Sequence, residues 1–192
     1  SIFTFLKLYN DIDPVSYYWM TFTSFIGILE GFYIIFHSKV ICMATELIQR
    51  NEHVWCILYP WVMILPHNLS CIFYAEYGAW ADREYMVFKD FWSRLIEGTH
   101  ALFCGLFCLV ALILYCVECI NEAKVALAVG MGCQLMNSIL YIGEYFIQTS
   151  TEGNVNYPTT DFPMTWKTRF FMFINVFWTV MPIYSIIMLF VY

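Results

Sequence analysis

Residues 101–117, "ALFCGLFCLVALILYCV", carry no charged side chain. Joined to the preceding "RLIEGTH" (94–100), they make a run long enough for a helix to cross the hydrocarbon of a bilayer, which takes about 20 mainly apolar residues. Yet Glu97 and His100 lie in the first turns of that run, where hydrocarbon makes a charge expensive. The apolar length sets the fold, and the polar exceptions point to the chemistry.

The rest of the chain agrees with a membrane setting. Of 192 residues, 61% are hydrophobic and 20% aromatic, while only 12% are charged. A soluble domain averages roughly one quarter charged residues. A water-facing globule could not cover itself with so few, so the chain reads as an all-α integral membrane protein. Its net charge is -6 and its nine Lys and Arg are scattered singly. No basic stripe for nucleic acid and no polybasic lipid-binding cluster results. The eight cysteines, Cys42, Cys56, Cys71, Cys104, Cys108, Cys116, Cys119 and Cys133, form no CxxC pair and lie mostly in apolar runs. They read as small buried hydrophobes rather than a disulfide framework. The opening residues show no signal-peptide pattern.

Four windows predict spanning helices: roughly 16–37, 93–118, 125–148 and 170–192. Asp13-Pro14 supplies a helix-start signal for the first. The short "ECINEAK" (118–124) makes the second and third an antiparallel pair. Residues 54–75 are apolar too, but Pro60 and Pro66 each remove a backbone donor. Broken backbone is not tolerated against lipid at membrane depth. This segment is therefore expected as an interfacial or re-entrant piece, with a fifth span as the alternative. The sequon Asn68-Leu69-Ser70 carries little weight. Residues 76–90 and 148–169 are polar connections, and the few basic residues in every loop do not orient the chain.

An ionisable or amide group inside a span is a functional hypothesis by default. The set is small: Glu30 in the first span; Arg94, Glu97 and His100 in the second; Gln134, Asn137 and Glu144 in the third; Asn175 and Trp178 in the last. Arg94, Glu97 and His100 follow at intervals of three and share a helix face, as do Gln134 with Asn137 and Asn175 with Trp178. The economical arrangement turns these facets toward one interior cavity. A carboxylic acid among apolar walls can hold its proton near neutrality and donate it. His100 could relay that proton, and the faces of Trp178 and Tyr141 could stabilise a cation. Such a set suits protonation of a carbon–carbon double bond followed by loss of a neighbouring proton. The plainer alternative is that Gln134 and Asn137 fasten helices together and Trp178 packs in a core. His37, His53 and His67 read as exposed. No HExxH or GxSxG occurs, so zinc, di-iron and serine chemistry have no support, and a haem on His100 alone has little. No cofactor is expected.

Against that background, "FINVFWTVMP" (173–182) resembles the F-x-N-x-x-W-x-x-x-P signature of the emopamil-binding protein family, the sterol isomerases of the EXPERA superfamily. "ILEGFY" (28–33), "EGTHALFCG" (97–105) and "QLMNSILY" (134–141) are similar, in the same order, to that family's I-E-G-W-F, E-T-x-T-A-x-x-x-G and Q-x-x-G-D-x-L-Y elements. "EYGAWADREY" (76–85) looks like its E-Y-x-K-G-D-x-R-Y loop with a one-residue offset. The likeness covers about 16–190 and makes the chain one domain over 1–192, with 38–75 as an insertion.

The resemblance implies a membrane helix bundle of the endoplasmic reticulum that shifts a sterol double bond, in the manner of a cholestenol delta-isomerase. It assigns proton handling to Glu30 and Glu97, positioning to Asn175 and cation stabilisation to Trp178. The sequence departs from the pattern at three places: Ile26 where the family has a histidine, His100 where it has a threonine, and Ser138 where it has an aspartate. The expected activity is thus a sterol or terpenoid double-bond isomerase, with Glu30, Glu97, His100 and Asn175 catalytic and Trp178, Tyr141, Gln134 and Asn137 against the substrate. Its partners would be a sterol or other lipid and the bilayer, with no nucleic acid. The rival is a non-catalytic relative, either a lipid- or drug-binding receptor or a subunit of a larger membrane complex, for which the mitochondrial inner membrane also fits. A homodimer is a further arrangement. Ion transport is disfavoured, because the acids are few and lie mid-span.

Overall fold

The computed structural model describes residues 11–81, 91–150 and 171–192, and among these every regular element is helical. Helix α1 runs Pro14–Arg50, α2 Pro66–Glu76, α3 Phe91–Cys116, α4 Ile120–Ser150 and α5 Phe171–Met188. Among the described residues, three stretches are long and apolar enough to cross a membrane: Pro14–Arg50, Arg94–Cys116 and Ile120–Gly143. The fourth window, 170–192, holds only the shorter apolar helix Ile174–Met188 among its described residues.

Helix α1 starts as the sequence indicates. Asp13 accepts the Ser16 N–H at 2.8 Å, a side-chain cap on one of the first orphan donors, and Pro14 sits where a missing N–H costs nothing. The helix does not end near His37, however. Residues 38–50 contain no Gly or Pro and several strong helix formers, so it continues to Arg50 across a bend at Phe36 (φ -102°, ψ 19°). His67 packs at that bend, its ring 6.1 Å from Phe32 and 5.8 Å from Phe36. The helix stops at Asn51, which takes a left-handed φ of 51°. Glu52 N–H then reaches Leu47 O at 3.0 Å and Asn51 N–H reaches Ile48 O at 3.2 Å, the paired bonds of a Schellman cap. The same device ends α3 at Glu118 (φ 66°), with Cys119 N–H on Leu114 O at 3.0 Å. A glutamate there costs about 1–2 kcal/mol relative to glycine, which the tight α3–α4 turn imposes.

The chain divides into two compact units. One contains the residues up to Ile28 with Thr99–Leu140 and Asn175–Tyr192; the other contains Leu29–Gly98 and Tyr141–Ile174. In the first, α3 and α4 pack as the expected antiparallel pair. Their core joins Cys108, Ala111 and Tyr115 to Ala123, Leu127 and Met131, with Met20 of α1 added. Small residues at the seam let the backbones close in.

The second unit has its own core, Ala44 and Leu47 of α1 against Ala75 and Ala79. Residues 54–75 form no single helix. Two 3-10 turns, Val54–Cys56 and Trp61–Ile64, precede α2, whose 11 residues reach only about 16 Å, half a hydrocarbon core. Polar bonds fix these turns. Glu76 binds His53 Nδ1 at 2.6 Å and accepts the Val54 N–H at 3.0 Å. Trp80 Nε1 donates to Glu52 O at 3.2 Å. Asn68 donates to Val62 O and accepts from Lys39 Nζ, both at 3.0 Å. The apolar side chains of Trp55, Leu58 and Trp61 point outward, Leu58 being 99% exposed.

Several expectations are corrected here. His37 is buried, because Arg94, far along the chain, lays its guanidinium against the imidazole, 3.0 Å from Nε2. His53 and His67 are half-buried for the reasons given above. All eight cysteines are free, but only Cys71, Cys104 and Cys108 are buried, while Cys42, Cys56 and Cys119 are exposed. Cys56 lies in a 3-10 turn and Cys119 in the α3–α4 turn, so an apolar run does not by itself imply burial within the protein. The side chain of Glu144 and the connections 82–90 and 151–170 lie outside the described residues.

Candidate functional site

The polar residues of the apolar helices fall into two sets, one in each unit. In the unit built from Leu29–Gly98, Glu30 of α1, Tyr74 of α2 and Glu97 of α3 come together. The Tyr74 hydroxyl donates to the Glu30 carboxyl group, and Glu97 stands within electrostatic reach of it. Three local features produce this meeting. Ser70 Oγ donates to Leu29 O at 2.6 Å, holding α2 on α1 one residue before Glu30. Gly98 faces Ile34 so closely that a Cβ would lie 2.3 Å from Ile34 Cγ1, so the missing side chain lets α3 bring Glu97 against α1. Tyr33 completes an aromatic wall, its ring 4.8 Å from Tyr74 and 5.3 Å from His37.

Glu30 Oε2 is buried and has no hydrogen-bond partner among the described residues. Buried polar atoms are nearly always satisfied, and each exception needs an explanation. Glu30, bonded to a phenol and within electrostatic reach of a second carboxyl group, can hold a proton and pass it on, and its unsatisfied oxygen is available to take part.

The other unit holds most of the remaining candidates, and here side chains fasten helices. Gln134 is buried; its Oε1 accepts from Trp19 Nε1 at 2.9 Å and its Nε2 donates to Thr23 Oγ1 at 3.4 Å. Trp178 packs edge-on against Trp19 with centroids 5.1 Å apart, and 5.8 Å from Phe22. Asn175 is buried, and its carbonyl accepts from Thr179 Oγ1 at 2.8 Å. Asn137 is half-buried. His100 Nε2 lies 2.9 Å from Cys133 O and 3.2 Å from Cys104 Sγ. A carbonyl only accepts, so Nε2 is the nitrogen carrying hydrogen. Tyr141, buried, belongs with the unit of the glutamates.

The shared face of Arg94, Glu97 and His100 therefore resolves into three partners: His37, Glu30 and the Cys133 carbonyl. One participant, Tyr74, was not evident from the sequence, and another, Ser138, stood out there only as a departure from the family pattern. Tyr74 sits in the proline-broken stretch, which offered no helical periodicity to place it. Ser138, whose Oγ lies 2.9 Å from Trp178 O, carries a small hydroxyl common in membrane helices. The Pro182 spacing behind Trp178 was the available signal. Among the described residues, no group of three or more His, Cys, Asp or Glu is placed to hold a metal.

Three long apolar helices are compatible with an integral membrane protein. No family model matches the chain, and neither curated proteins nor solved structures include a significant match to it.

Proposed function

We propose that this chain is a membrane-embedded isomerase that moves a carbon–carbon double bond in a sterol or related terpenoid, with Glu30 and Glu97 as the proton-handling pair. The carrying observation is the buried, unpartnered Oε2 of Glu30 beside Glu97 and Tyr74. One carboxylic acid adds its proton to one alkene carbon, leaving a carbocation at the other. A carboxylate then removes a proton from the carbon on the far side of the cation, and the alkene re-forms one position along. Proton gained equals proton lost, no electron leaves the substrate, and no cofactor is needed. The family likeness of "ILEGFY" and "EGTHALFCG" supports the same two residues.

In this reading α5 is a fourth span. The 3-10 turns around Trp55 and Trp61 lie at the membrane–water boundary, where tryptophan is favoured and free backbone groups meet water. The endoplasmic reticulum is the membrane in which such substrates are processed.

The test is turnover of a sterol with a ring-B double bond by the full chain in mild detergent. Glu97→Gln should abolish isomerisation while leaving the unfolding transition in place; undiminished turnover rejects the proposal. The bonds of Gln134 to Trp19 and Thr23 favour a second reading, a non-catalytic relative that binds a lipid or serves as a subunit of a larger complex. Mass spectrometry of the gently extracted protein separates the two. A bound sterol supports the enzyme, and a stoichiometric protein assembly supports the subunit.

A further inference from the structure

At one end of the unit that contains His100, the start of α1, the end of α3, the start of α4 and the end of α5 surround a small recess. Asp11, Asp13, Ser16, Tyr115, Lys124 and Ser185 line it. It has room for about one water-sized species. Two of its lining atoms, Ser16 Oγ and Ser185 Oγ, are buried without any hydrogen-bond partner among the described residues. Both side chains are almost wholly enclosed, Ser185 at 0% and Ser16 at 1% exposure. Asp13 is also buried, accepts the Ser16 N–H at 2.8 Å and takes a hydrogen bond from Tyr184.

Orphaned hydroxyls are costly, and two in one recess are unusual. The charges around them are unbalanced. Two carboxylates against the single Lys124 ammonium leave one negative charge. Apart from that ammonium, the polar side chains lining the recess carry oxygen, the ligand type that hard cations select.

We propose that this recess binds one water-sized monovalent cation, held by Ser16 Oγ, Ser185 Oγ and the Asp11 and Asp13 carboxylates. The site ties the ends of four helices together. Two sources share this chemistry: free Na⁺ and the primary ammonium of an ethanolamine lipid headgroup. Neither is part of the isomerase reading, and the site stands or falls independently of it.

The experiment is thermal unfolding of the full chain in detergent, in NaCl and in N-methylglucamine chloride at equal ionic strength, with and without added phosphatidylethanolamine. Binding to the folded state alone raises the midpoint in step with the logarithm of ligand concentration. Sodium should raise it by about 3 °C at saturating salt. Ser185→Ala and Asp11→Asn should each remove that rise. Because Ser185 has no partner to lose, its alanine variant should match the parent in N-methylglucamine. A rise with the ethanolamine lipid but not with sodium, lost in the same variants, assigns the cation to the headgroup. A midpoint indifferent to both, as when water occupies the recess, overturns the proposal. So does a cation-dependent rise that persists in both variants.

Discussion

The hydroxyl of Ser138 lies 2.9 Å from the carbonyl oxygen of Trp178, the acceptor left without its helical donor by Pro182 four residues later. Within apolar surroundings water cannot fill that position, so the α4 serine repairs the ladder of α5. Ser138 Oγ is also 3.0 Å from Gln134 O, but its one hydrogen is best spent on the carbonyl that has no other donor.

Ser138→Ala should therefore cost about 1–2 kcal/mol of stability in detergent, the scale of an interhelical hydrogen bond and its orphaned acceptor. The informative step is the second substitution. Pro182→Ala supplies a backbone N–H at the right spacing, so in the Ser138→Ala background it should recover much of the loss. A double variant no better than Ser138→Ala would reject this account of the pair.

Gly27 and Gly105 make a backbone-to-backbone seam. A Cβ on Gly27 would stand 2.7 Å from Ala101 O and 3.0 Å from Gly105 Cα, and one on Gly105 would stand 3.0 Å from Thr23 O. None of these neighbours is a movable side-chain tip. Gly27→Ala and Gly105→Ala should each lower stability by about 1–3 kcal/mol through overpacking. Gly132 has nothing within 4 Å of such a carbon. Gly132→Ala should be neutral or gain about 0.5–1 kcal/mol from helix propensity. Equal effects at the three sites, read from unfolding midpoints, would contradict the close approach.

Asn68 heads a sequon but is no glycan acceptor in this fold. It is buried in α2, and its amide donates to Val62 O while accepting from Lys39. Expressed in a eukaryotic cell, the chain should run on a gel at the same position before and after glycosidase treatment. Asn68→Ala should lose about 1 kcal/mol of stability rather than a sugar. A mobility shift on treatment would show the amide to be accessible.

Apolar length made the helices legible. Seventeen uncharged residues from Ala101, and similar runs elsewhere, leave few alternatives to spanning helices. The brevity of "ECINEAK" made α3 and α4 an antiparallel pair. Glu30 and Glu97 stood out because hydrocarbon penalises them, and the fold brings them within electrostatic reach. What stayed hidden depends on partners distant in the chain. His37 looked like a loop-edge residue until Arg94 was placed against it. Tyr74 lay in a segment whose prolines erased the periodicity that would have given it a face. The extension of α1 to Arg50 was missed because the window stopped at the first polar residues, although no breaker follows before Asn51. Ser16 and Ser185 gave no sign at all, since a serine in an apolar helix is ordinary until its hydroxyl lacks a partner.

Tyr74 is a positioning residue for Glu30, and the pairing can be isolated from packing. Tyr74→Phe keeps the ring, which lies tilted with its centroid 4.8 Å from that of Tyr33, and removes only the hydroxyl that donates to the Glu30 carboxyl. With Oε2 already unpartnered, both oxygens of Glu30 are then short of a donor, so stability should fall by about 1–2 kcal/mol. Glu30→Ala removes the acceptor instead. Together the two changes should cost less than their sum, with a coupling of roughly 1 kcal/mol, because each deletes the same bond. Unfolding midpoints of the parent, the two single variants and the double variant close that cycle. Strict additivity would mean that Tyr74 and Glu30 do not hold each other, and Glu30 would then have to find its support elsewhere among the residues around it.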